Sequence, residues 1–600
     1  MAAKPELESG MLAEGLRGLL GRRSVLRGAA LTASGIAAAA LLGCGGDDEE
    51  DGDGGGGGEA TATGTPAARK WPGVTISDGR FFGFNFDDAT TTPKTGGRLR
   101  FLFTFDPQTL DPRKTQAGGS HTAINASHNR LIGVYGGPDA DPFEVNKLQP
   151  ELAKSWETSP DGLTYTFHLE QGVKWQNIAP VSGREFKASD VVYAYDQYKS
   201  GGAQTALFTT VDRFEAKDDY TFVVRMKQPT PDFILGMSTA HPSVFAKELA
   251  DSGDIERKAI GTGPMIVKEW QSGKGGTFDR NPDYFKQATL IDGMDLPYIA
   301  DVAARTAAYR AEQVDYGHST TSVTELDAIL RTNPGTTVFT SPIFASTFSI
   351  SMNMSSPKYA DERLRRAISL AVDRGTLERL IYGDLGKSMP TMDWRFAGFT
   401  EEPSAEQGAF GKWWRYDPTE SKALLQAAGV QDFTINMVFY NYGDDSNSRP
   451  NDILVDQLRQ VGINLVPQRL EYTQFNSQWT TRQVEDAADG WLTHGASGEH
   501  VVYGLNHSKS SANRWRINDP QIDTWADQHR SELNPQTRAE LARKVWDRVM
   551  DQVYRVEKPS GYGFLLQQPW VRGVRYSRPI GSGQYYLDLS ELVSHAWLDK

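Results

Sequence analysis

The chain has 600 residues, 39% of them hydrophobic, with 14 Trp, 22 Tyr and 27 Phe, enough apolar material for a packed body of several domains. Its net charge of −13 includes no basic stripe, which argues against a nucleic-acid partner. A single cysteine rules out an internal disulfide framework.

Taken in order, the first 43 residues carry five Lys or Arg against three Glu. Arg22-Arg23-Ser24-Val25-Leu26-Arg27 has the twin-arginine form of an export signal, and an uncharged Ala- and Leu-rich run from Gly28 to Gly43 follows. That run is shorter than the ~20 residues a membrane-spanning helix needs. It ends in Leu41-Leu42-Gly43-Cys44, which resembles a bacterial lipobox, so residues 1–43 are expected to be a removed signal and Cys44 the acylated first residue.

Residues 44–59 hold seven acids and no base, so much of the acidity belongs to a tail and not to a binding surface. Asp47–Gly58 cannot bury apolar area and is expected to stay a solvated linker. Gly52, Gly54 and Gly57 satisfy G-x-G-x-x-G, but no strand pattern precedes them and no helix pattern follows. A calcium loop is excluded as well, because its twelfth position counted from Asp47 is Gly58 and not Glu. Phe81-Phe82-Gly83-Phe84-Asn85-Phe86 is too aromatic for a free tail and is expected to pack on the body as an arm, which completes a tether over 44–95.

The body begins near Gly96-Gly97, with Leu99–Phe103 as its first strand and a helix expected over Asn125–Ile132, followed by Tyr135. After the Asp161-Gly162 turn signal, Leu163, Tyr165, Phe167 and Leu169 alternate with polar residues and predict a strand with one buried face. A helix follows, with Ser189 as its expected N-cap and Asp190 at the positive end of its dipole. Val191, Val192, Tyr195 and Tyr198 share one face of it. Val211–Met226 alternates again at Phe222, Val224 and Met226. Residues 361–374 predict one amphipathic helix, with Leu364, Ile368 and Val372 inside and Arg363, Arg365, Arg366 and Arg374 on a solvated face. Asp452–Val461 predicts a further helix and Ile463–Val466 a short strand. Strands alternating with helices predict α/β lobes, and no repeat of 20–50 residues points to a solenoid.

No catalytic constellation stands out. There is no G-x-S-x-G and no H-E-x-x-H, and Gly383–Ser388 has two residues between its glycines where a phosphate loop needs four. Three of the ten histidines, His494, His500 and His507, fall in one region, but spacings of six and seven match no compact metal-ligand motif. No enzyme activity, cofactor or metal is therefore expected. Trp394, Trp413, Trp414, Trp479 and Trp491 offer flat apolar faces, of which one or two in a cleft would suit a sugar or a peptide side chain.

The wording of Pro150–Tyr198 is more specific than its periodicity. P-x-L-A-x-S-W-E-x-S-x-D-G-x-T-Y-T-F-x-L-x-x-G-V-K-W, followed by F-K-A-S-D-V-V-Y-A-Y, closely resembles the extracellular solute-binding proteins of family 5, which serve peptide- and nickel-type ABC importers. The resemblance continues in order through Leu110-Asp111-Pro112, Gly261-Thr262-Gly263-Pro264, the stretch 361–374, Tyr416-Asp417-Pro418 leading into Ala423–Gly429, and Val461-Gly462-Ile463, covering residues 96–575.

This resemblance implies an α/β, two-lobed, three-domain periplasmic-binding-protein fold of type II, with hinge strands between the lobes. Lobe I would comprise 96–340 and 556–600, with an inserted subdomain at about 145–260, and lobe II would comprise 341–555; Gln568–Gly573 fits the return to lobe I. It further implies a monomer, held outside the cytoplasm by lipid on Cys44, that closes on a peptide or peptide-like ligand and delivers it to an ABC permease with a separate ATPase subunit. The alternatives are an oligosaccharide or metal-chelate ligand in the same fold, or a surface receptor without transport. A secreted enzyme is disfavoured by the missing nucleophile constellation.

Asp489-Gly490-Trp491-Leu492-Thr493-His494 resembles the family's second-lobe strand end. Peptide-binding relatives keep a Trp there, followed three positions later by an Asp that neutralises the ligand's amino terminus through a charge-assisted hydrogen bond. Here Trp491 is kept and His494 stands at the Asp position, and imidazole cannot replace a carboxylate as an ammonium partner. Either the ligand lacks a free amino terminus at that point, or another acid such as Asp489 or Glu499 supplies the charge. The candidate ligand-binding residues are Trp491, His494, Trp394, Tyr135 and Asp489.

Overall fold

Period-two alternation is realised directly. Tyr165, Phe167 and Leu169 are buried on one face of the strand Thr164–Leu169, which pairs with Ala153–Thr158 on one side and Thr221–Met226 on the other, and Val211–Asp218 completes a four-stranded antiparallel sheet. The computed structural model describes Thr75–Ser77, Arg80–Phe82 and residues 92–600 apart from 104–105, 107–108, 116–117, 136–146, 321, 341–345, 383–385, 393, 402, 442–447, 494–496, 562 and 575–588. Arg22, Arg23, Cys44, the acidic linker and His494 lie outside the described residues. Within the expected arm, Thr75–Ser77 and Arg80–Phe82 form a small antiparallel hairpin. Among the described residues no helix is long and apolar enough to cross a membrane.

The helix Ala188–Ser200 covers this first sheet with Val191, Ala194, Tyr195 and Tyr198, over a core that includes Trp175, Phe186, Phe208 and Phe222. Its N-cap is Lys187, two residues earlier than the sequence suggests. Asp190 explains the shift: its carboxylate accepts from the Lys187 amide at 3.0 Å and also holds both terminal nitrogens of Arg184, at 2.9 and 2.7 Å.

A second sheet joins Met265–Gln271, Gly275–Arg280, Gly293–Pro297 and Arg98–Arg100, the last pair parallel. Beside it, Phe564–Gln567 lies between Tyr316–Thr320 and Thr337–Thr340, so this late segment packs with elements far earlier in the chain. Leu99, Phe101, Leu565, Val571 and Val593 share one core there. A third, five-stranded sheet has the order Ile463–Arg469, Phe433–Phe439, Ala487–Thr493, Ser346–Met352, Arg555–Glu557. Ile350, Leu364, Ile368, Met437, Leu458 and Val556 pack around it. The strand Arg555–Glu557 belongs to this sheet, so the expected lobe boundary at 556 falls inside a strand.

Two helix predictions are corrected. The helix expected over Asn125–Ile132 runs instead over Gly118–Ser127, and Ile132–Val134 is a strand paired with Leu148–Pro150. The cause is tertiary. The Gly263 amide takes the Ser127 carbonyl at 2.8 Å, ending the helix there. A Cβ on Gly261 would overlap that carbonyl oxygen, and one on Gly263 would lie 2.6 Å from Ser127 C, so the two glycines of Gly-Thr-Gly-Pro allow a backbone-on-backbone contact.

The stretch 361–374 is two helices, Glu362–Leu370 and Arg374–Ile381, because Asp361 caps the first at Arg363 N (2.9 Å) and Asp373 caps the second at Thr376 N (2.9 Å). Arg363 stays exposed, but Arg365 and Arg374 are buried. Arg365 donates to the carbonyls of Tyr359 (2.7 Å) and Gln552 (2.8 Å), and Arg374 to those of Glu557 (2.9 Å) and Trp414 (2.8 Å). A guanidinium has enough donors to satisfy several carbonyls at once, which is why these two arginines go inward. Burial pulls the Arg374 pKa down to about 10.

Beside the three-stranded sheet, Glu325 sits in the first turn of the helix Val323–Thr332. Burial works against its charge, but His318 Nε2 at 3.4 Å and the hydroxyls of Thr306 and Thr320 (2.5 Å to the latter) outweigh it and hold the carboxyl down at about 2. A carboxyl with a depressed folded pKa stabilises above its unfolded pKa, and that stability is lost as pH falls toward the folded value. Glu325→Gln should therefore lower thermal stability at pH 6 by an amount on the order of 2–3 kcal/mol, with more than half of the difference gone by pH 3. Melting curves of both proteins at the two pH values test this, and an equal gap at both would refute it.

Candidate functional site

Trp491 lies on Ala487–Thr493, the middle strand of the five-stranded sheet, directly opposite Phe348 of Ser346–Met352. His494 follows that strand immediately, beyond the described residues. Two residues before Trp491, Asp489 faces the sheet interior and is 0% exposed. Its Oδ2 lies 2.6 Å from Nζ of Lys558, which is 3% exposed, and accepts from Asn451 Nδ2 at 3.1 Å. Lys558 Nζ also donates to Asn451 Oδ1 at 3.2 Å, so the three polar groups close a small ring of hydrogen bonds. Burial lowers the Lys558 pKa although Asp489 pulls the other way.

This ring joins three elements: the helix Ser448–Arg459, the strand bearing Trp491, and the chain just after Arg555–Glu557. The Lys558 amide also donates to the Phe348 carbonyl at 2.9 Å. After Lys558 the chain passes from the five-stranded sheet to the three-stranded one, and between Thr340 and Ser346 it goes from the three-stranded sheet to the five-stranded one. Just after Lys558, Ser560–Gly561 pairs with Gly386–Lys387. The Tyr382 ring covers Gly561 where a Cβ would collide with it, and a Cβ on Gly386 would lie 2.7 Å from Tyr382 Cβ. Burial and the nearby Asp489 carboxylate both raise the Tyr382 pKa, so its hydroxyl stays protonated.

The other acid singled out in the sequence is also committed. Glu499 Oε1 lies 2.8 Å from Arg530 Nε; burial raises its pKa against the pull of that arginine. His500 stands in the π-helical turn His500–Gly504. His507 is buried, stacked on Tyr503 with ring centroids 4.2 Å apart, and takes the Lys509 amide on Nδ1 at 3.0 Å. Trp394 is half-buried in the short turn Trp394–Phe396. Tyr135 is half-buried beside Ile132–Val134, with Lys147 Nζ 4.6 Å above its ring.

The structure thus brings Asp489 and Trp491 together on one strand and leaves Trp394 and Tyr135 on other elements. Asp489 acts below the strand surface, as the partner of a lysine. Sequence reasoning missed Lys558, Asn451 and Tyr382. A lysine in Val556-Glu557-Lys558-Pro559 carries no local mark of burial; its partner is 69 residues away in the chain.

The family model of the bacterial extracellular solute-binding proteins, family 5, middle region, matches residues 147–513. The heme-binding protein A of Haemophilus influenzae is 22% identical over 538 residues, covering 84% of this chain and 94% of its own length. Among solved structures, the periplasmic binding protein DppA of Helicobacter pylori in complex with a peptide aligns with a TM-score of 0.71 at 21% identity, over 84% of this chain and 99% of that one. NikZ of Campylobacter jejuni in complex with Ni(L-His) aligns with a TM-score of 0.70 at 17% identity, over 82% and 99%. These likenesses establish the α/β, two-lobed fold.

Removing one member of a buried ion pair leaves an uncompensated charge. Lys558→Met should lower the free energy of unfolding by about 3–5 kcal/mol, and adding Asp489→Leu in the same chain should recover most of the loss. Urea midpoints of the single and double variants check this; equal losses in both would show that the pair is not the cause.

Proposed function

Because the chain belongs to the bacterial extracellular solute-binding proteins of family 5, we propose that it captures a peptide-like solute without a free amino terminus and passes it to an ABC permease. Members of this family bind solutes and are not enzymes. The two lobes are 96–340 with the C-terminal segment, and 341 to the end of the strand Arg555–Glu557. The passages 341–345 and 559–563 are the hinge. Trp491 and His494 contact the ligand, with Tyr135 and Trp394 contributing aromatic surface.

The observation that carries the ligand class is the state of the acids. With His494 in the position of the carboxylate that peptide-binding relatives use, an ammonium group would need Asp489 or Glu499. Asp489 is neutralised by Lys558 and Glu499 by Arg530. A buried ammonium without a counter-charge costs several kcal/mol, on the order of a thousandfold in affinity. Blocked peptides and other ligands lacking a terminal amine avoid that cost.

Calorimetry on matched free and N-acetylated peptides tests this. The wild type should bind the acetylated form at least as well as the free one, and His494→Asp should turn the preference toward the free form. A strong wild-type preference for the free amine would overturn the ligand class. Native mass spectrometry of protein purified without refolding identifies any retained cargo, including a glycoside or a metal chelate.

The export signal around Arg22 and Arg23 and the lipobox at Cys44 support an extracytoplasmic, membrane-anchored protein. Expressed in its own host, Cys44→Ala should move from the membrane to the soluble fraction, as followed by fractionation and blotting. Equal partitioning of the two proteins would sink the anchor.

A further inference from the structure

Asp232 precedes the short helix Phe233–Met237, in the body that carries the sheet of Ala153–Met226, yet its carboxylate is held by the other body. Oδ1 accepts from Arg538 Nη2, and Oδ2 accepts from the backbone amide of Glu499 at 2.6 Å. The side chains of Asp232 and Arg538 are 12% and 21% exposed. Nearby, Arg530 Nη2 donates to Thr209 Oγ1 at 3.0 Å, which makes a second polar contact between the same two bodies. Leu533 lies against Gly162, where an added Cβ would be 3.0 Å from Leu533 Cδ2.

Arg530 and Arg538 belong to the helices Pro520–Ser531 and Pro535–Gln552. The second of these is fastened to the five-stranded body, since Asp551 takes Arg366 Nη2 at 3.1 Å and Trp413 Nε1 at 3.3 Å. Two acids, Asp232 and Glu499, therefore face two arginines, Arg530 and Arg538, and the cluster is balanced while the bodies touch. His529, also packed there, stays neutral, because burial and the neighbouring Arg538 push its pKa down to about 4. When the bodies separate, Asp232 leaves with Thr209, and the Glu499 amide and Arg538 lose their acceptor.

The place of the Glu499 amide gives this contact its meaning. Glu499 comes six residues after Thr493, the end of the strand that carries Trp491, and opens the helical segment containing the π turn His500–Gly504. The amides at the start of a helical segment lack partners within the helix, and a carboxylate is well suited to satisfy one. Here that carboxylate comes from the opposite body.

We infer that Asp232 is a closure residue: it caps the segment after the candidate ligand strand and pairs with Arg538 only when the two bodies meet, so it adds to the ligand's own contribution to the closed form. This rests on the solute-binding reading of the chain. A contact made in one of two states shifts their balance by its full differential strength. A hydrogen bond to a charged group of this kind is worth roughly a tenfold to hundredfold change in a closing equilibrium.

The test measures the distance between bodies and needs no added solute. In a Cys44→Ser chain, spin labels at Lys217→Cys and Gln460→Cys, both exposed positions on the two bodies, report that distance by pulsed electron resonance. Asp232→Ala should shift population toward longer distances, and so should Arg538→Asp. The charge-exchanged double variant Asp232→Arg with Arg538→Asp should restore much of the short-distance population. Hydrogen exchange of the segment 497–505 should rise with Asp232→Ala and leave the strand Ile463–Arg469 unchanged. Unchanged distances in Asp232→Ala, or no rescue in the double variant, would overturn the closure role. Binding is read separately by calorimetry with N-acetylated peptides. Shifted distances with unaltered peptide affinity would refute the claim that this contact aids capture, whereas a wild type that binds none of the solutes but shows the distance shift keeps Asp232 as a closure residue and removes the ligand class.

Discussion

The ion pair between Lys558 and Asp489 is the constraint on which the site depends. Taking an ammonium and a carboxylate out of water costs several kcal/mol for each ion, and only close contact with the remaining polar groups satisfied offsets it. Asn451 supplies that satisfaction by bonding both partners at once. The pair lies where the chain is about to leave the five-stranded sheet, so the residue before the passage is fixed from below by Asp489 and alongside by the Phe348 carbonyl. The same pair cancels the charge of Asp489, the one acid on the strand Ala487–Thr493.

A second layer of buried charge supports the first. Arg374 spans from the end of Arg555–Glu557 to Trp414, Arg365 ties the helix Glu362–Leu370 to Gln552, and Arg555 pairs with Glu557 at 3.0 Å with its guanidinium 4.6 Å above the Trp515 ring. Most of these donors meet backbone carbonyls at the ends of strands and helices, which have no partner within their own element. Arginine suits the task because its planar donors reach several carbonyls from one position. These contacts hold the last strand of the sheet and the long helix Pro535–Gln552 in a fixed relation, the relation that puts Arg538 in reach of Asp232.

Two kinds of polar contact therefore divide the work. Lys558 and Asp489 lie within one body and cannot separate without leaving charge in a dry interior. Asp232 and Arg538 lie between bodies and keep partial access to water, so separating them costs less than separating a fully buried pair.

How much could be read beforehand varied with the range of the forces involved. The sequence by itself determined the strand at Tyr165, Phe167 and Leu169, the buried face of Val191, Tyr195 and Tyr198, and the strand beginning at Ile463, because a side chain's face follows from local period alone. It also carried the family, through phrases whose spacing survives in order. Tertiary structure alone decided the rest. The helix after Gly118 stops at Ser127 because Gly263, 136 residues on, takes its carbonyl. The helix start moves to Lys187 because Asp190 turns back on it. Arg365 and Arg374 leave the solvated face assigned to them because carbonyls from distant segments converge there. Asp489, one of the acids that would have had to answer His494, proved committed to a lysine with no local signature. Charges are placed by what meets them in space, and that information is not stored in the neighbours along the chain.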